Sequence, residues 1–337
     1  MKAIVQTRYG SPDDLVLREV DPPEVGDDEV RVRVRAASLH PDVWHVVTGQ
    51  PWVLRLMGGG IFRPRNPIPG TDVAGVVESV GSEVTRFRPG DLVFGETSRS
   101  NEWTNGGAFA ECVSVPEALL APKPDGVSFE EAASVPTSGY IALLNLRGGT
   151  VVRPGDRVLV NGAGGGVGAI ALQIAKARGA RVTAVDTTGK LDMLRSLGAD
   201  EVVDYTEEDF TRRGVRHDLI FDVPGNHSLR ACRRALTAEG KYVLIGHEGF
   251  GASGKRIFGL FPRFIGLIVR SFFTGQLRMG RSSIPSRAES IANLREHLEA
   301  GTITPVVDSA YPLAELREAF RHMIEDELRG KVILTVG

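Results

Sequence analysis

Valine and charge alternate without interruption through Glu29-Val30-Arg31-Val32-Arg33-Val34-Arg35. A period of two places the valines on one face of a β-strand and the charges on the other. Val73-Ala74-Gly75-Val76-Val77-Glu78-Ser79-Val80 reads as a further strand ended by Gly81, and Arg88-Pro89-Gly90-Asp91 is turn chemistry ahead of Leu92-Val93-Phe94. Short strands with Gly and Pro punctuation continue to about residue 122 and predict a compact, barrel-like β domain.

Beyond Pro122-Lys123-Pro124-Asp125-Gly126 the period changes. Ser128-Phe129-Glu130-Glu131 is a capping box that opens a helix through Ala132 and Ala133. Strands are predicted at 157–160, 181–185, 201–203, 219–221 and 242–245, with helices at 169–177, 189–197 and 228–236 between them. Strands joined by helical crossovers form a parallel sheet covered on both faces. In the tail, helices are expected near 287–299, ending at Gly301, and 313–325, with strands at Ile303–Val307 and Lys331–Val336.

Chemistry enters at Asn161-Gly162-Ala163-Gly164-Gly165-Gly166-Val167-Gly168, which follows a predicted strand and opens a predicted helix. That context marks a dinucleotide-binding turn, reading A-x-G-x-x-G with Ala163 where the first glycine usually stands. Gly165 lets the backbone approach a pyrophosphate, Gly168 allows helix and strand to pack closely, and the helix N-terminus offers unpaired N–H groups to the phosphates. Asp186 ends the next strand about 20 residues on, where a carboxylate binds the adenosine ribose hydroxyls. It would repel a 2′-phosphate and so leans the choice toward NADH; Lys190, able to pair with that phosphate, leans it toward NADPH. Asp186 as a local cap and Lys190 as a surface lysine are the plainer alternatives.

Several segments in order resemble the medium-chain dehydrogenase/reductase superfamily, and within it the zinc-independent quinone oxidoreductase branch. They are Pro69–Val77, Phe87–Val93, Gly107–Glu111, the glycine run, Leu197-Gly198-Ala199-Asp200 and Arg329-Gly330-Lys331. The resemblance implies an α/β fold: a GroES-like β-barrel catalytic domain over 1–122 and 286–337, and a Rossmann doubly wound parallel-sheet domain over 123–285. The change of period places the first boundary independently; the second rests on the resemblance.

Zinc-dependent members carry a Gly-His-Glu segment where this chain has Gly70-Thr71-Asp72, and a cysteine where it has Ser38-Leu39-His40. The resemblance therefore implies no metal, although His40, Asp42 and His45 include atoms able to ligate one. Relatives carry Asn-Pro-x-Asp where this chain has His40-Pro41-Asp42-Val43, with His40 in place of the asparagine and Asp42 supplying the acid. In such folds this segment lines the cleft beside the nicotinamide, as does Pro136-Thr137-Ser138-Gly139-Tyr140. His40, Asp42 and Tyr140 are thus the candidate catalytic residues, His40 or Tyr140 donating to a developing enolate oxygen. A turn histidine, a helix cap and a packed interface tyrosine are their structural alternatives. Gly246 and His247, past the last Rossmann strand, are candidate cofactor contacts.

Composition changes this picture little. The formal net charge is −2, from 40 basic and 42 acidic residues among 337, so nothing advertises a nucleic-acid or membrane partner, and no stretch is long and uncharged enough to span a bilayer. Cys112 and Cys232 do not form a disulfide framework and read as buried small residues. The segment 250–277, a Phe, Leu, Ile and Arg mixture, reads as helical packing, with a cleft cover, a dimer surface or lipid contact as alternatives. The expectation is a cytoplasmic, homodimeric enzyme that passes a hydride from NADH or NADPH to a quinone or α,β-unsaturated carbonyl, a small-molecule substrate. An alcohol or aldehyde dehydrogenase and a non-catalytic NAD(P)H sensor are the rivals.

Overall fold

The computed structural model describes residues 1–97, 106–147, 152–246, 261–272, 274–277 and 285–337. Strands β1 (Lys2–Val5) and β2 (Val16–Glu19) form a small antiparallel ribbon. In β3 (Glu29–Leu39) the alternation does what its period dictates: Val30, Val32 and Val34 are buried, and Arg33 and Arg35 face solvent. Helix α1 (Pro41–Thr48) follows, then β4 (Asp72–Val80), β5 (Leu92–Glu96), β6 (Cys112–Pro116) and β7 (Leu120–Pro122). Gly75 in β4 faces the backbone of β3 so closely that a Cβ would stand 2.1 Å from the Arg33 carbonyl oxygen.

Helices α2 (Phe129–Ala133) and α3 (Pro136–Arg147) lead into the parallel sheet, and α2 carries the capping box expected at Ser128 and Glu131. The succession is then β8 (Arg157–Asn161), α4 (Gly166–Ala177), β9 (Arg181–Asp186), α5 (Leu191–Ser196), β10 (Glu201–Asp204), β11 (His217–Asp222), α6 (Leu229–Arg234) and β12 (Leu236–Leu244). The sheet order is β10-β9-β8-β11-β12, all parallel, so the order reverses between β8 and β11. A crevice opens at that reversal, beyond the strand C-termini. After α7 (Phe261–Ser271) and α8 (Arg287–Glu299), β13 (Val307–Pro312), α9 (Leu316–Glu325) and β14 (Lys331–Thr335) return to the first sheet. That sheet runs β13-β14-β3-β4-β5-β7, with β6 also on β3. The fold is thus α/β, a GroES-like mixed sheet plus a parallel nucleotide-binding sheet.

Three expectations shift. The strand expected at 303–307 lies instead at Val307–Pro312. Gln173 of α4 takes the backbone of Thr304, accepting its N–H at 2.7 Å and donating to its carbonyl at 3.1 Å, and Pro305 has no N–H to give a ladder. β12 begins at Leu236, directly after α6, and α4 begins at Gly166, because the glycine run itself makes the first helical turn. Cys232 is buried as expected, whereas Cys112 is half-buried, its Sγ 3.7 Å from a Glu78 oxygen, and burial and that carboxylate push its thiol up. Among the described residues no helix is long and apolar enough to cross a membrane.

The two sheets share one apolar seam. Ala36, Ala74 and Phe94 from the first lie in one cluster with Leu143, Ile170, Leu294 and Ile333. At roughly 1.5–3 kcal/mol for each large side chain removed from water, this seam holds the sheets together. Gly139 lets α3 and α8 meet, since a Cβ there would stand 2.4 Å from Leu294. Beside the seam, Arg287 at the start of α8 donates to both oxygens of buried Glu96 at 2.7 Å, and its guanidinium lies 4.3 Å from the centroid of the Tyr140 ring. Truncating one member of a buried ion pair strands the other charge. Glu96→Ala is therefore expected to lower the unfolding free energy by about 3–5 kcal/mol in urea denaturation, with Glu96→Gln losing less.

Candidate active site

The turn between β8 and α4 is built from what its glycines permit. Gly162 has φ +75°, a left-handed conformation in which a side chain is strained. At Gly168 a Cβ would stand 2.1 Å from the Gly162 carbonyl oxygen, so helix and turn touch backbone to backbone. Gly165 is different: the nearest atom to its Cβ position is the Gly162 oxygen at 3.8 Å, so this glycine faces open space. It is also the N-cap of α4 and makes no side-chain cap hydrogen bond, so no side chain of the turn caps the first N–H groups of the helix. An open glycine face at the positive end of a 12-residue helix is a geometry suited to a diphosphate.

Asp186 and Lys190 meet each other instead of standing apart. The Asp186 carboxylate accepts from the Gly164 N–H at 2.7 Å, the Thr187 N–H at 3.0 Å and the Lys190 ammonium at 2.9 Å. Both oxygens are engaged and the pair is nearly buried, so Asp186 braces the glycine turn and its charge is neutralised. A Cβ on Gly164 would strike Lys190 at 2.4 Å, which explains the glycine there. Glu327 and Arg329, both exposed, lie close by, a Glu327 oxygen 3.6 Å and the Arg329 guanidinium 3.7 Å from the Cβ position of Gly189.

The opposite wall comes from the first sheet and α3. Gly330 donates its N–H to the Gly164 carbonyl at 2.8 Å, docking the start of β14 onto the glycine turn. This puts Lys331 beside Gly166: a Cβ there would lie 2.7 Å from Lys331 Cδ and 3.0 Å from Ser138 Oγ. Lys331 and Ser138 are both buried, and neither the ammonium nor the hydroxyl has a hydrogen-bond partner. Burial pushes the Lys331 ammonium down to about 8 against the pull of Asp72 and Asp42, which raise it. Asp72, 3.8 Å from Lys331 Nζ, is fully buried and accepts from Ser38 Oγ at 2.6 Å, from the Thr137 N–H at 3.0 Å and from the Thr137 hydroxyl. One carboxylate thereby ties β3, β4, α3 and β14 together.

His40 and Asp42 come together at the start of α1. His40 is the N-cap, its Nδ1 accepting from the Asp42 N–H at 3.3 Å and lying 3.1 Å from Asp42 Oδ2. The two contacts need opposite protonation states of Nδ1, one a lone pair and the other an N–H. Burial raises the Asp42 carboxyl, but His40, His45 and Lys331 outweigh it and hold the group at about 2. Tyr140 is placed by other contacts, its ring under Arg287. Gly246 donates to the Val223 carbonyl at 3.0 Å beyond the end of β11; His247 lies outside the described residues. His45 turns Nδ1 to the Gln50 carbonyl at 2.6 Å. The described residues contain no group of three His, Cys, Asp or Glu side chains placed to hold a metal ion.

Sequence reasoning assigned no role to Asp72, Thr137, Ser138 or Lys331. Each sits in a segment that carried the resemblance, but only the fold reveals which polar atoms end buried without partners. At the sheet reversal Asn161 Nδ2 donates to Asp222 at 2.8 Å and to Asn226 at 3.0 Å, and Tyr242 holds the other Asp222 oxygen at 2.7 Å. These strand-end residues read in sequence only as strand termini.

A diphosphate cradle facing a cleft between two sheets, with an ammonium and a hydroxyl buried in its far wall, defines a nucleotide-dependent oxidoreductase. Residues 26–125 match the family described as Alcohol dehydrogenase GroES-like domain, and residues 197–334 that described as Zinc-binding dehydrogenase. The NADPH-dependent alkenal/one oxidoreductase, chloroplastic, of Arabidopsis thaliana is 32% identical over 99% of this chain and 79% of its own length. A quinone oxidoreductase of Pseudomonas aeruginosa is 29% identical over 99% of each chain. Among solved structures, an NAD-dependent alcohol dehydrogenase covers 100% of both chains with 31% identity and a TM-score of 0.80. The chain belongs to the medium-chain dehydrogenase/reductase superfamily, in its quinone oxidoreductase-like branch, and is an NAD(P)H-dependent oxidoreductase.

Lys331 makes no hydrogen bond but faces buried Asp72 at 3.8 Å, so its removal should weaken the cofactor and also strand that carboxylate. A hydrogen bond to a charged group contributes about 1.5–3 kcal/mol, so Lys331→Met is expected to raise the calorimetric Kd for NADPH about 10- to 100-fold and to lower the Tm as well, because Asp72 loses its buried cation. The cation is present below a pKa of about 8 and lost above it. Wild-type affinity should therefore fall as pH rises from about 7 to about 9, and the variant should lack that dependence.

Proposed function

We propose that the protein reduces conjugated carbonyl compounds and quinones, acting through residues of its own chain and a reduced nicotinamide without a catalytic zinc. The observation that carries this reading is the pair of buried groups without a hydrogen bond, Lys331 Nζ and Ser138 Oγ, against the open start of α4. A buried ammonium without an acceptor is costly, and an anionic ligand at the helix N-terminus supplies what it lacks. In this reading Ala163, Gly164, Gly165, Gly166, Val167 and Gly168 form the diphosphate cradle, Lys331 and Ser138 close it, and Gly246 borders the crevice.

When bound, the reduced nicotinamide supplies the hydride. The chain's task is the charge that then gathers on the acceptor oxygen and the proton that neutralises it. His40 is the group suited to both: with Nδ1 turned to Asp42, a protonated ring can donate from Nε2 to the acceptor oxygen and become neutral while keeping its Nδ1–H against Asp42. Asp42, anionic throughout the neutral range, steadies the protonated ring. Tyr140, under Arg287, serves better to set the joint between α3 and α8 than to move a proton.

The absence of zinc rests on the donor set. The cation beside Asp72 is Lys331, and an ammonium repels a divalent ion from the same carboxylate. Without a Lewis acid, acceptors already activated by conjugation are favoured over simple alcohol chemistry. On the cofactor, the lean to NADH from Asp186 is withdrawn: a carboxylate paired with Lys190 no longer repels a 2′-phosphate, and Arg329 stands near this end of the turn beside Glu327. We read the preference as NADPH. We further take 1–122 with 286–337 as the catalytic domain and 123–285 as the nucleotide domain.

Stopped-flow oxidation of NADPH and NADH against 1,4-quinones, enones, aldehydes and alcohols tests the whole. Quinones and enones should turn over, NADPH with the higher kcat/KM, and a chelator should change neither. Arg329→Ala should reduce the NADPH advantage about tenfold, the scale of one charge-assisted contact. Turnover confined to alcohols and aldehydes would establish the dehydrogenase reading. Cofactor binding without oxidation by any acceptor would establish a sensor.

A further inference from the structure

Both ring nitrogens of His322, in the last turn of α9, face a carboxylate. Nε2 stands 2.7 Å from Asp308 Oδ2 on β13, and Nδ1 stands 2.7 Å from Asp326 Oδ2 at the end of its own helix. A neutral imidazole has one N–H and cannot donate to both, so this is the geometry of the imidazolium. The C-terminal end of a helix favours the same charge. The Asp308 hydrogen bond raises the imidazole above its usual value against burial, and Asp326 adds to it. Tyr311 of β13 is the ring's uncharged neighbour, their centroids 6.0 Å apart. With side-chain exposures of 24% and 12%, His322 and Asp308 are shielded enough from solvent ions for one charge to hold the other in place.

The second oxygen of Asp308 is turned to the chain that leads into β14. Asp308 Oδ1 accepts the Arg329 N–H at 2.7 Å. One residue on, the Gly330 N–H reaches the Gly164 carbonyl at 2.8 Å, and the Lys331 N–H reaches the Val306 carbonyl at 3.1 Å. Three consecutive amides are thus committed: the first to Asp308, the second to the glycine turn, the third to the chain ahead of β13. Only glycine holds this course at 330, where φ is +85° and a Cβ would stand 2.2 Å from the Val306 carbonyl oxygen. Lys331, its backbone placed by these bonds, then lies buried beside Gly166. A continuous line of hydrogen bonds therefore runs from the His322 ring to the wall of the nucleotide turn.

We propose that Asp308, held by the His322 cation, is a positioning residue for the nicotinamide dinucleotide: it fixes Arg329 so that Gly330 closes on the glycine turn and Lys331 meets the diphosphate. The inference rests on the reading of the α4 start as the diphosphate site, and Asp308 acts there through the backbone, not on the reacting atoms. Calorimetric Kd for NADPH, and KM and kcat with a quinone acceptor, test it on the full chain. Asp308→Ala should raise Kd and KM about tenfold, the scale of one hydrogen bond to a charged group, and leave kcat within about twofold. Asp308→Asn keeps an oxygen for the Arg329 N–H and should recover most of that loss. His322→Gln should raise Kd about threefold in the wild-type chain and hardly at all in Lys331→Met, because the two act in series. Lost stability alone would not give that non-additivity. The His322 cation is complete below the ordinary histidine value and lost as pH rises through its raised one. Wild-type affinity should therefore begin to fall before Lys331 deprotonates at about 8, and Asp308→Asn, which offers the ring no charge, should lack that early fall. If Asp308→Ala does not fold, the pH profile of Asp308→Asn and the His322→Gln pair decide. Unchanged Kd and KM in the Asp308 variants, a loss confined to kcat, or equal effects of His322→Gln with and without Lys331 would overturn the inference. Wild-type protein that binds no NADPH would overturn the oxidoreductase reading as well.

Discussion

A lysine ammonium closed into the seam between two sheets, with a carboxylate 3.8 Å away and no acceptor of its own, is the constraint around which the rest is arranged. Such a charge is tolerated only where its surroundings compensate it. Asp72 supplies part of the compensation and is itself saturated by Ser38 and Thr137, so it cannot move toward the lysine without losing donors. The open face of Gly165, where α4 begins, adjoins this pair.

The same contacts fix the geometry of that space. Gly330 reaches the Gly164 carbonyl, so the last strand of the chain is clamped to the nucleotide turn. Asp186 and Lys190 brace the turn from behind. Glu96 and Arg287 pin α8 across the joint, and the apolar seam from Phe94 to Leu294 fills the rest. The cradle is thus held by both sheets, which allows small side-chain changes at its rim to alter ligand preference without loosening the fold. Helix α7 is anchored to the nucleotide-binding sheet through Arg263 and Leu267, apart from this machinery, with an apolar stripe of Ile265, Ile268, Val269 and Phe272 turned outward.

Much of this was legible in the chain. The valine and charge alternation of β3, the capping box at Ser128, the β8–glycine–α4 passage and the 287–299 helix depend on local period, backbone freedom and short-range hydrogen bonds, which sequence displays directly. The misplaced strand near residue 303 shows where that stops. Thr304 is claimed by Gln173, 131 residues earlier, and no local pattern announces it.

The sequence by itself determined the order of strands and helices, the dinucleotide turn, and the family to which the chain belongs, because each is written in neighbouring residues. Only the tertiary structure decided that Asp186 is neutralised by Lys190, that Lys331 and Ser138 stand buried and without a hydrogen bond beside Gly166, and that α7 turns its apolar stripe outward. Those are facts of burial and of distance between residues far apart in the chain. Desolvation and pairing, which govern charge, exist only once the sheets have met.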